Sequence, residues 1–464
     1  MYSHEFLIHF VGIGGVGMAG IAEVLLNLGY RVSGSDTKRS NLTDHLAEIG
    51  AQISIGHREE NLPVGTSVVV VSSAVPLENP ELVVAHERSI PVIPRAEMLA
   101  ELMRMKYGIA IAGSHGKTTT TTMTAKVLSD AKLDPTVIIG GRVLKERSGA
   151  RLGTGQYLVA EADESDGSFS FLRPAIAVVT NIDSEHLNHY GSFGKLEEAF
   201  LAFLSSVPFY GLIVACGDDP VIRRLLARVS RRVVTYGLSP ENDIFASDIV
   251  SERGSSRFQL GLKNGASWEV SLPMPGTHMI SNALAAVGVG RELGVSIEDC
   301  AKSLAAFPGV ARRSEVVGEP NGIVVIDDYG HHPTEIKRTL EGIRASYVPS
   351  GSRLVVLFQP HRYSRTKDLF ADFCSAFASS DEVVVGEIYS AGEKALDGVS
   401  GESLAKSIQI ERCSFVRDLR ESIPGLVKTL RTGDVVVTLG AGSIGNLGPE
   451  IVSSIQSIER KSHA

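Results

Sequence analysis

Gly113-Ser114-His115-Gly116-Lys117-Thr118-Thr119 is the stretch that decides the fold of this chain. An apolar run, residues 107–112, precedes it, and a helix-like stretch opens near Thr119. A glycine-rich turn between strand and helix points backbone N–H groups at an anion, and the helix N-terminus adds partial positive charge. In such a loop Lys117 reaches the terminal phosphates and the Thr118 hydroxyl faces a magnesium ion. The usual spacing places a glycine five positions before Gly116, where this chain has Ile111, so the loop is a shortened variant. A tight turn that merely contains Lys-Thr would need neither the strand before it nor the helix after it.

Outward from the loop, short apolar, β-branched runs alternate with longer amphipathic stretches. They fall at residues 6–11, 68–72, 109–112, 157–160, 176–180, 212–215, 323–326, 354–358, 383–385 and 435–439. Continuous apolar strands separated by helices indicate an α/β protein with parallel, doubly wound sheets. The chain has 464 residues, too many for one core. Three blocks can be drawn, residues 1–104, 105–310 and 311–464. The first ends after Ile90-Pro91-Val92-Ile93-Pro94, where a helix leads into a new strand. Within the second, residues 243–273 carry short alternating segments with Gly254, Gly261 and Gly265, the pattern of a small antiparallel ribbon. The third contains four strand-like runs and reads as another α/β domain.

Composition removes several classes. A net charge of −8, with no long basic block, argues against a nucleic-acid binder. The four cysteines, Cys216, Cys300, Cys374 and Cys413, form no C-x-x-C and suit a reducing compartment as small buried thiols. No Lys or Arg precedes Arg31, so the apolar start lacks the basic region of a signal peptide and is too short to span a bilayer. A cytoplasmic protein without a membrane partner is expected.

In the first block, Gly12-x-Gly14-Gly15-x-Gly17 follows a strand and opens a helix, with Asp36 ending the next strand. Alone, this is a dinucleotide-binding fingerprint, Asp36 being placed for a ribose hydroxyl. A nicotinamide oxidoreductase is supported by this segment only. A second phosphate loop at residue 113 means that two nucleotide-like groups are held at once. A nucleoside diphosphate attached to a substrate satisfies the first site without redox chemistry. Ser72 and Ser73, just past the next strand, lie at the edge where such a ligand sits.

In the second block, Glu161-Ala162-Asp163-Glu164-Ser165-Asp166 follows an apolar strand. Carboxylates at a strand end beside a phosphate loop supply hard oxygen ligands for a magnesium–ATP site, and Glu161 is the candidate nearest the strand. The next strand ends in Asn181-Ile182-Asp183-Ser184-Glu185-His186. His186 is either structural or a metal or phosphate contact. Asn282 opens an alanine-rich helix, where an amide reads a base edge or serves as a cap.

In the third block, Asp327-Asp328-Tyr329-Gly330-His331-His332-Pro333 and Gln359-Pro360-His361-Arg362-Tyr363-Ser364-Arg365 are polar clusters beyond strand ends. Open α/β sheets place ligand contacts there. Arg362 and Arg365, three apart, suit a carboxylate held by charge-assisted hydrogen bonds.

The phosphate loop, the Glu161–Asp166 acids, the Asn181–His186 segment and Asn282-Ala283-Leu284-Ala285-Ala286 resemble the ATPase core of the Mur ligases, and motifs in all three blocks share the resemblance. The third-block signatures are similar to those of the subgroup that joins L-alanine to UDP-N-acetylmuramate. The resemblance implies a Rossmann-like UDP-sugar domain, a central P-loop ATPase domain and a Rossmann-like C-terminal domain that brings the amino acid. It implies ATP contacts at Gly113, Ser114, His115, Gly116, Lys117, Thr118, Thr119, Asn282, Arg313 (phosphate) and Asp327 (ribose). Magnesium, or manganese in its place, falls to Thr118, Glu161 and His186, and Lys117, Glu161 and His186 become the catalytic set. Gly12, Gly14, Gly15, Gly17, Asp36, Ser72 and Ser73 would hold the UDP-sugar. Tyr329, His331, His361, Arg362 and Arg365 would surround the alanine. The implied chemistry is phosphorylation of the lactyl carboxylate followed by attack of the alanine amine through a tetrahedral intermediate, with His186 or His331 as the proton acceptor. A monomer or homodimer is expected.

Three positions depart from the family pattern. Met279 stands where asparagine is usual, Asn188 replaces an aspartate after the metal-binding histidine, and Ser114 replaces threonine. Competing readings are the family's tripeptide-recycling ligase, a folylpolyglutamate-type ligase, the oxidoreductase and a catalytically silent UDP-sugar sensor.

Overall fold

The computed structural model describes residues 6–72, 74–139 and 150–462. They form two compact units, the first comprising residues up to 247 with 259–269 and 281–307, the second residues 248–258, 270–280 and those from 308 onward.

The first unit carries a five-stranded sheet in the order Gln52–Ile55, Arg31–Asp36, Leu7–Val11, Thr66–Val71, Val92–Pro94. All of its pairings are parallel, so every strand delivers its following loop to one edge. Leu7–Val11 is buried on both faces, four apolar residues around a buried His9. The helix Val16–Asn27 starts at Gly15 without a side-chain cap.

A ten-stranded sheet follows. Its parallel centre runs Val233–Gly237, Leu212–Cys216, Ile176–Val179, Tyr107–Ala112, Tyr157–Glu161 and Thr136–Ile138. Ala150–Arg151 pairs antiparallel at one end. At the other end lie Ile244–Glu252, Ser255–Leu262 and Ser267–Leu272, the hairpin strands expected over residues 243–273. Tyr107–Ala112 therefore sits between the strands that end at Val179 and Glu161. The phosphate loop is flanked on both sides by the segments that carry the acids and His186. Helix Lys117–Asp130 opens with five threonines, poor helix formers, and burial of Thr119, Thr120, Thr121 and Thr122 overrides that preference.

The second unit carries a six-stranded sheet in the order Glu315–Gly318, Val324–Asp328, Val435–Leu439, Leu354–Phe358, Glu382–Val385, Cys413–Phe415. Only the first pairing is antiparallel. The sequence revealed four of these strands; Glu315–Gly318 and Cys413–Phe415 are short and half polar, with too little apolar run to register. Strand residues alternate between two cores. Val324, Ile326, Val356 and Phe358 pack with Ile336, Leu340 and Ile343 of helix Pro333–Tyr347. Val325, Val355 and Leu357 pack with Leu426, Ile451 and Ile455 of helices Leu419–Thr429 and Leu447–Ser462. Among the described residues, no helix is long and apolar enough to cross a membrane.

Candidate active site

The phosphate loop is built from backbone geometry that side chains could not share. Gly113 has φ of +133°, and a Cβ there would fall 2.1 Å from Thr180 Oγ1. Gly116 caps the helix with φ of +82°, and a Cβ there would fall 2.5 Å from Asn282 Oδ1, which places Asn282 against the loop. The next strand end clamps the turn. His115 N–H donates to Asn181 Oδ1 (2.9 Å), Asn181 Nδ2 donates back to His115 O (3.0 Å), and Asp183 N–H donates to Ser114 Oγ (2.9 Å). Ser114, where the family pattern has threonine, thus keeps a hydroxyl that accepts this bond. His115 Nε2 lies 3.1 Å from Asp183 Oδ2. The helix begins at Lys117, so the amides of its first turn lack carbonyl partners within the helix and face a ligand edge. Thr119 lies in that turn and is buried.

Lys117 is folded back onto the protein. Its ammonium donates to Gly113 O (2.6 Å) and to both carboxylate oxygens of Glu164 (2.9 and 2.8 Å). Burial works to lower its pKa, but Glu164 and Asp163 outweigh that and hold it above its ordinary value. Burial pushes the Glu164 carboxyl up to about 7, against the pull of Lys117. Tyr190 OH anchors the Glu164 carbonyl at 2.6 Å, fixing this loop from behind.

The acids do not share one role. Asp163 accepts from Ser165 N–H and Asp166 from Ser168 N–H, both at 3.0 Å, so each braces its own turn. Glu161 closes its strand at the same edge. Glu164, Glu185 and His186 bring one donor atom each to within 4.8 Å of one another. His186 Nε2 is 3.8 Å from Glu164 Oε1 and 3.9 Å from Glu185 Oε2. His186 also holds a left-handed backbone, φ +57°, uncommon for a residue with a Cβ. Two carboxylates and an imidazole converging beside a phosphate loop are donors suited to a divalent cation. The sequence reading selected Glu161 and Thr118 with His186; Glu164 and Glu185 are the residues it passed over.

At the first sheet, Gly12 N–H and Ile13 N–H both donate to Ser35 O (2.9 and 3.0 Å), and Gly14 N–H donates to Asp36 Oδ2 (2.8 Å). Asp36 therefore spends one oxygen on the glycine turn. Ser72 lines the same edge, its N–H donating to Val11 O at 3.2 Å, and Ser73 lies outside the described residues. Beneath the turn, buried Glu81 accepts from Ser35 Oγ (2.7 Å) and pairs with His9 Nε2 (2.7 Å) and His57 Nδ1 (2.9 Å). Burial raises its pKa, but these bonds outweigh that and hold the carboxyl below its usual value.

In the second unit, the expected alanine residues form a chain of rings and guanidinium groups. Arg312 and Arg313 stand over the Tyr329 ring at 5.0 and 5.4 Å. Tyr329 meets His331 edge-on at 5.5 Å, and His331 lies 5.9 Å from His361. Arg365 Nη1 is 3.2 Å from His361 Nδ1. His361 stacks on Tyr389 at 5.6 Å, a partner absent from the sequence reading. Burial takes His331 down to about 3 and His361 to about 4, so both rings are neutral at physiological pH. Arg362 has φ of +71° and an exposed side chain at the start of helix Tyr363–Asp368. Asp327 accepts from Arg312 Nε (2.8 Å) and Thr438 Oγ1 (2.6 Å). In this state its carboxylate is spent within the protein.

Three family models match in succession: Mur ligase family, catalytic domain, over residues 7–107; Mur ligase middle domain over 111–290; and Mur ligase, glutamate ligase domain, over 312–442. The chain belongs to the Mur ligase family. Relatives within it include the UDP-N-acetylmuramate--L-alanine ligase of Geobacter sulfurreducens, 52% identical over 98% of this chain and 99% of the relative. That of Myxococcus xanthus is 50% identical over 98% and 96%. Among solved Mur ligases, UDP-N-acetylmuramate-alanine ligase MurC from Thermotoga maritima superposes with a TM-score of 0.80 at 29% identity, covering 98% of this chain and 100% of that one. A murein peptide ligase from Psychrobacter arcticus shares the fold with a TM-score of 0.70 at 24% identity.

Proposed function

We infer that this chain ligates L-alanine to the lactyl carboxylate of UDP-N-acetylmuramate with cleavage of ATP, a step of peptidoglycan precursor synthesis. The observation that carries this reading is a phosphate loop and a separate glycine turn in one chain that is half identical, end to end, to ligases of that name. We assign residues 1–104 to the UDP-sugar, 105–310 to ATP and 311–464 to the amino acid.

A carboxylate and an amine do not condense in water because oxide is a poor leaving group. In the proposed path the lactyl carboxylate attacks the γ-phosphorus, ADP leaves, and an acyl phosphate forms. The alanine amine then attacks the acyl carbon, and phosphate departs from the tetrahedral intermediate. Lys117 supplies positive charge to the transferring phosphoryl group, exchanging Glu164 for phosphate oxygens. Asn282, lodged against Gly116, is the candidate for the adenine edge, and Arg313 for phosphate. Arg362 and Arg365 hold the alanine carboxylate so that the amine faces the acyl carbon, with His361 orienting Arg365. His186 and His331 are the candidates for taking the amine proton, and the burial that holds the His331 ring neutral also makes it a weak base. A magnesium or manganese ion fits the donors Thr118, Glu161 and His186, with Glu164 and Glu185 beside the histidine. Such an ion supplies charge neutralisation to the polyphosphate.

The test is phosphate release from ATP with UDP-N-acetylmuramate and alanine, glycine, serine or a tripeptide. Release that requires the sugar nucleotide and is fastest with alanine supports the reading. Release driven by the tripeptide alone assigns the recycling activity instead.

A further inference from the structure

Strands Leu354–Phe358 and Glu382–Val385 are parallel neighbours, so the segments that follow them leave the sheet side by side. The first segment carries His361, Arg362 and Arg365. The second, residues 386–400, clamps it in three ways. Tyr389 N–H donates to Pro360 O and Arg362 N–H donates to Tyr389 O, both at 2.8 Å. The Tyr389 ring lies stacked on His361. Farther along, Glu393 Oε2 accepts from Ser364 N–H at 3.0 Å and Oε1 accepts from Ser364 Oγ at 2.6 Å.

Glu393 is where the loop touches down. It is half-buried, whereas residues 391, 392 and 394–398 are exposed. A tight turn brings it there: its N–H donates to Ser390 O at 3.0 Å, with Ala391 at φ +49° and Gly392 at φ +90°. A left-handed alanine persists where surrounding contacts enforce it, and the Glu393–Ser364 bonds are such contacts. Burial works to raise the Glu393 pKa, but Ser364 and the charge of Arg362 outweigh that and hold it below its usual value.

The helix that Ser364 joins, Tyr363–Asp368, has six residues, too few to be stable by itself. Its N-cap residue, Arg362, makes no side-chain cap, and the Ser364 amide belongs to the first turn, which lacks internal partners. A carboxylate from the neighbouring loop supplies the missing acceptor. As a mere cap, Glu393 would steady this helix and nothing more. Ser364, however, stands between Arg362 and Arg365. Two guanidinium groups gripping one small carboxylate tolerate little misplacement.

We propose that Glu393 is a positioning residue for the ligation, which through Ser364 sets the helix start that presents Arg362 and Arg365 to the amino acid. This rests on the reading that those arginines hold the alanine carboxylate.

The experiment is steady-state kinetics of the full chain with alanine and ATP varied in turn. Glu393→Ala is expected to raise the KM for alanine about tenfold, the weight of a charge-assisted bond, with kcat and the KM for ATP within about twofold of the parent. Glu393→Gln, which keeps an oxygen for Ser364 N–H, is expected to recover most of that loss. Ser364→Ala is expected to raise the same KM about threefold in the parent and to add nothing once Glu393 is alanine, because both changes act on one contact. It carries the test if Glu393→Ala does not fold. An unchanged KM for alanine in Glu393→Ala, a parallel rise for ATP, or a glutamine variant no better than alanine overturns the proposal. Arg365→Ala, run alongside, separates it from the reading beneath it. A shift there with none in Glu393→Ala overturns this proposal alone; no shift in Arg365→Ala overturns the reading of the arginines as well.

Discussion

Lys117 and Glu164 form a closed pair at the phosphate loop, with the ammonium 2.9 and 2.8 Å from the two carboxylate oxygens. The glutamate side chain is 1% exposed, so the pair is a buried charge couple occupying the lysine that a triphosphate needs. Lys117→Ala is expected to keep sugar-nucleotide binding and to lose ATP-dependent phosphate release. It also strands a buried carboxylate, which costs about 3–5 kcal/mol unless Glu164 takes up a proton. Calorimetry with the sugar nucleotide, phosphate release and urea denaturation check the three parts. Normal turnover would remove Lys117 from the mechanism.

Glu164 also offers an oxygen to the group it forms with Glu185 and His186. Glu164→Gln keeps the shape and removes the charge. The expected result is a rise of about tenfold or more in the magnesium concentration giving half-maximal activity. His186→Ala is expected to raise it further. Titration of activity against magnesium reads both, and superimposable curves would exclude the pair as donors.

Arg365 is oriented by His361 at 3.2 Å, and the ring in turn stacks on Tyr389. Arg365→Ala is expected to raise the apparent KM for alanine by about 10- to 100-fold, the range of a lost charged hydrogen bond, with the KM for ATP little changed. Tyr389→Ala should produce a smaller rise in the same constant. Steady-state kinetics with alanine as the varied substrate decides; an unchanged KM removes Arg365 from the pocket.

The pKa values of His331 and His361 tie stability to pH. Burial takes them from 6.5 to about 3 and about 4. Between those limits the unfolded chain binds protons that the folded domain refuses. Their contribution is intact above about pH 6.5 and falls as pH drops toward 4. His331→Asn should flatten this part of the profile, measured as the urea midpoint at successive pH values. An equally steep fall in the variant would contradict the assignment.

Glu81 carries the opposite kind of group under the first-domain turn. Its depressed pKa means that its stabilisation is present above the ordinary carboxylate range and is lost as pH falls through and below it. Glu81→Ala strands His9, Ser35 and His57 at once. It is expected to lower stability by about 3 kcal/mol or more and to weaken sugar-nucleotide binding through the displaced Ser35 carbonyl. Urea denaturation and calorimetry report the two effects.

Continuous β-branched runs such as residues 435–439 made the parallel sheets legible, because both faces of such a strand are buried. The phosphate loop was legible because Gly113 and Gly116 are forced by a close approach and a left-handed backbone. The division of labour among Glu161, Asp163, Glu164 and Asp166 was not. In sequence the four acids are equivalent; only the turn after Glu161, anchored by Tyr190, shows which one is driven into the lysine. Tyr389 escaped notice because Gly386-Glu387-Ile388-Tyr389, after Glu382–Val385, has no histidine or arginine cluster like those at Tyr329–His332 and His361–Arg365, although its place past a parallel strand end was a usable signal. Asp36 was placed correctly at the turn, but local hydrogen bonding to Gly14 competes with the ribose role expected of it.

The central claim is that ATP activates the sugar nucleotide's own carboxylate. The direct measurement uses UDP-N-acetylmuramate labelled with heavy oxygen in the lactyl carboxylate, turned over with ATP and L-alanine, and mass analysis of the released phosphate. Transfer of label into phosphate is the result predicted here. Unlabelled phosphate formed alongside the alanine conjugate would contradict it.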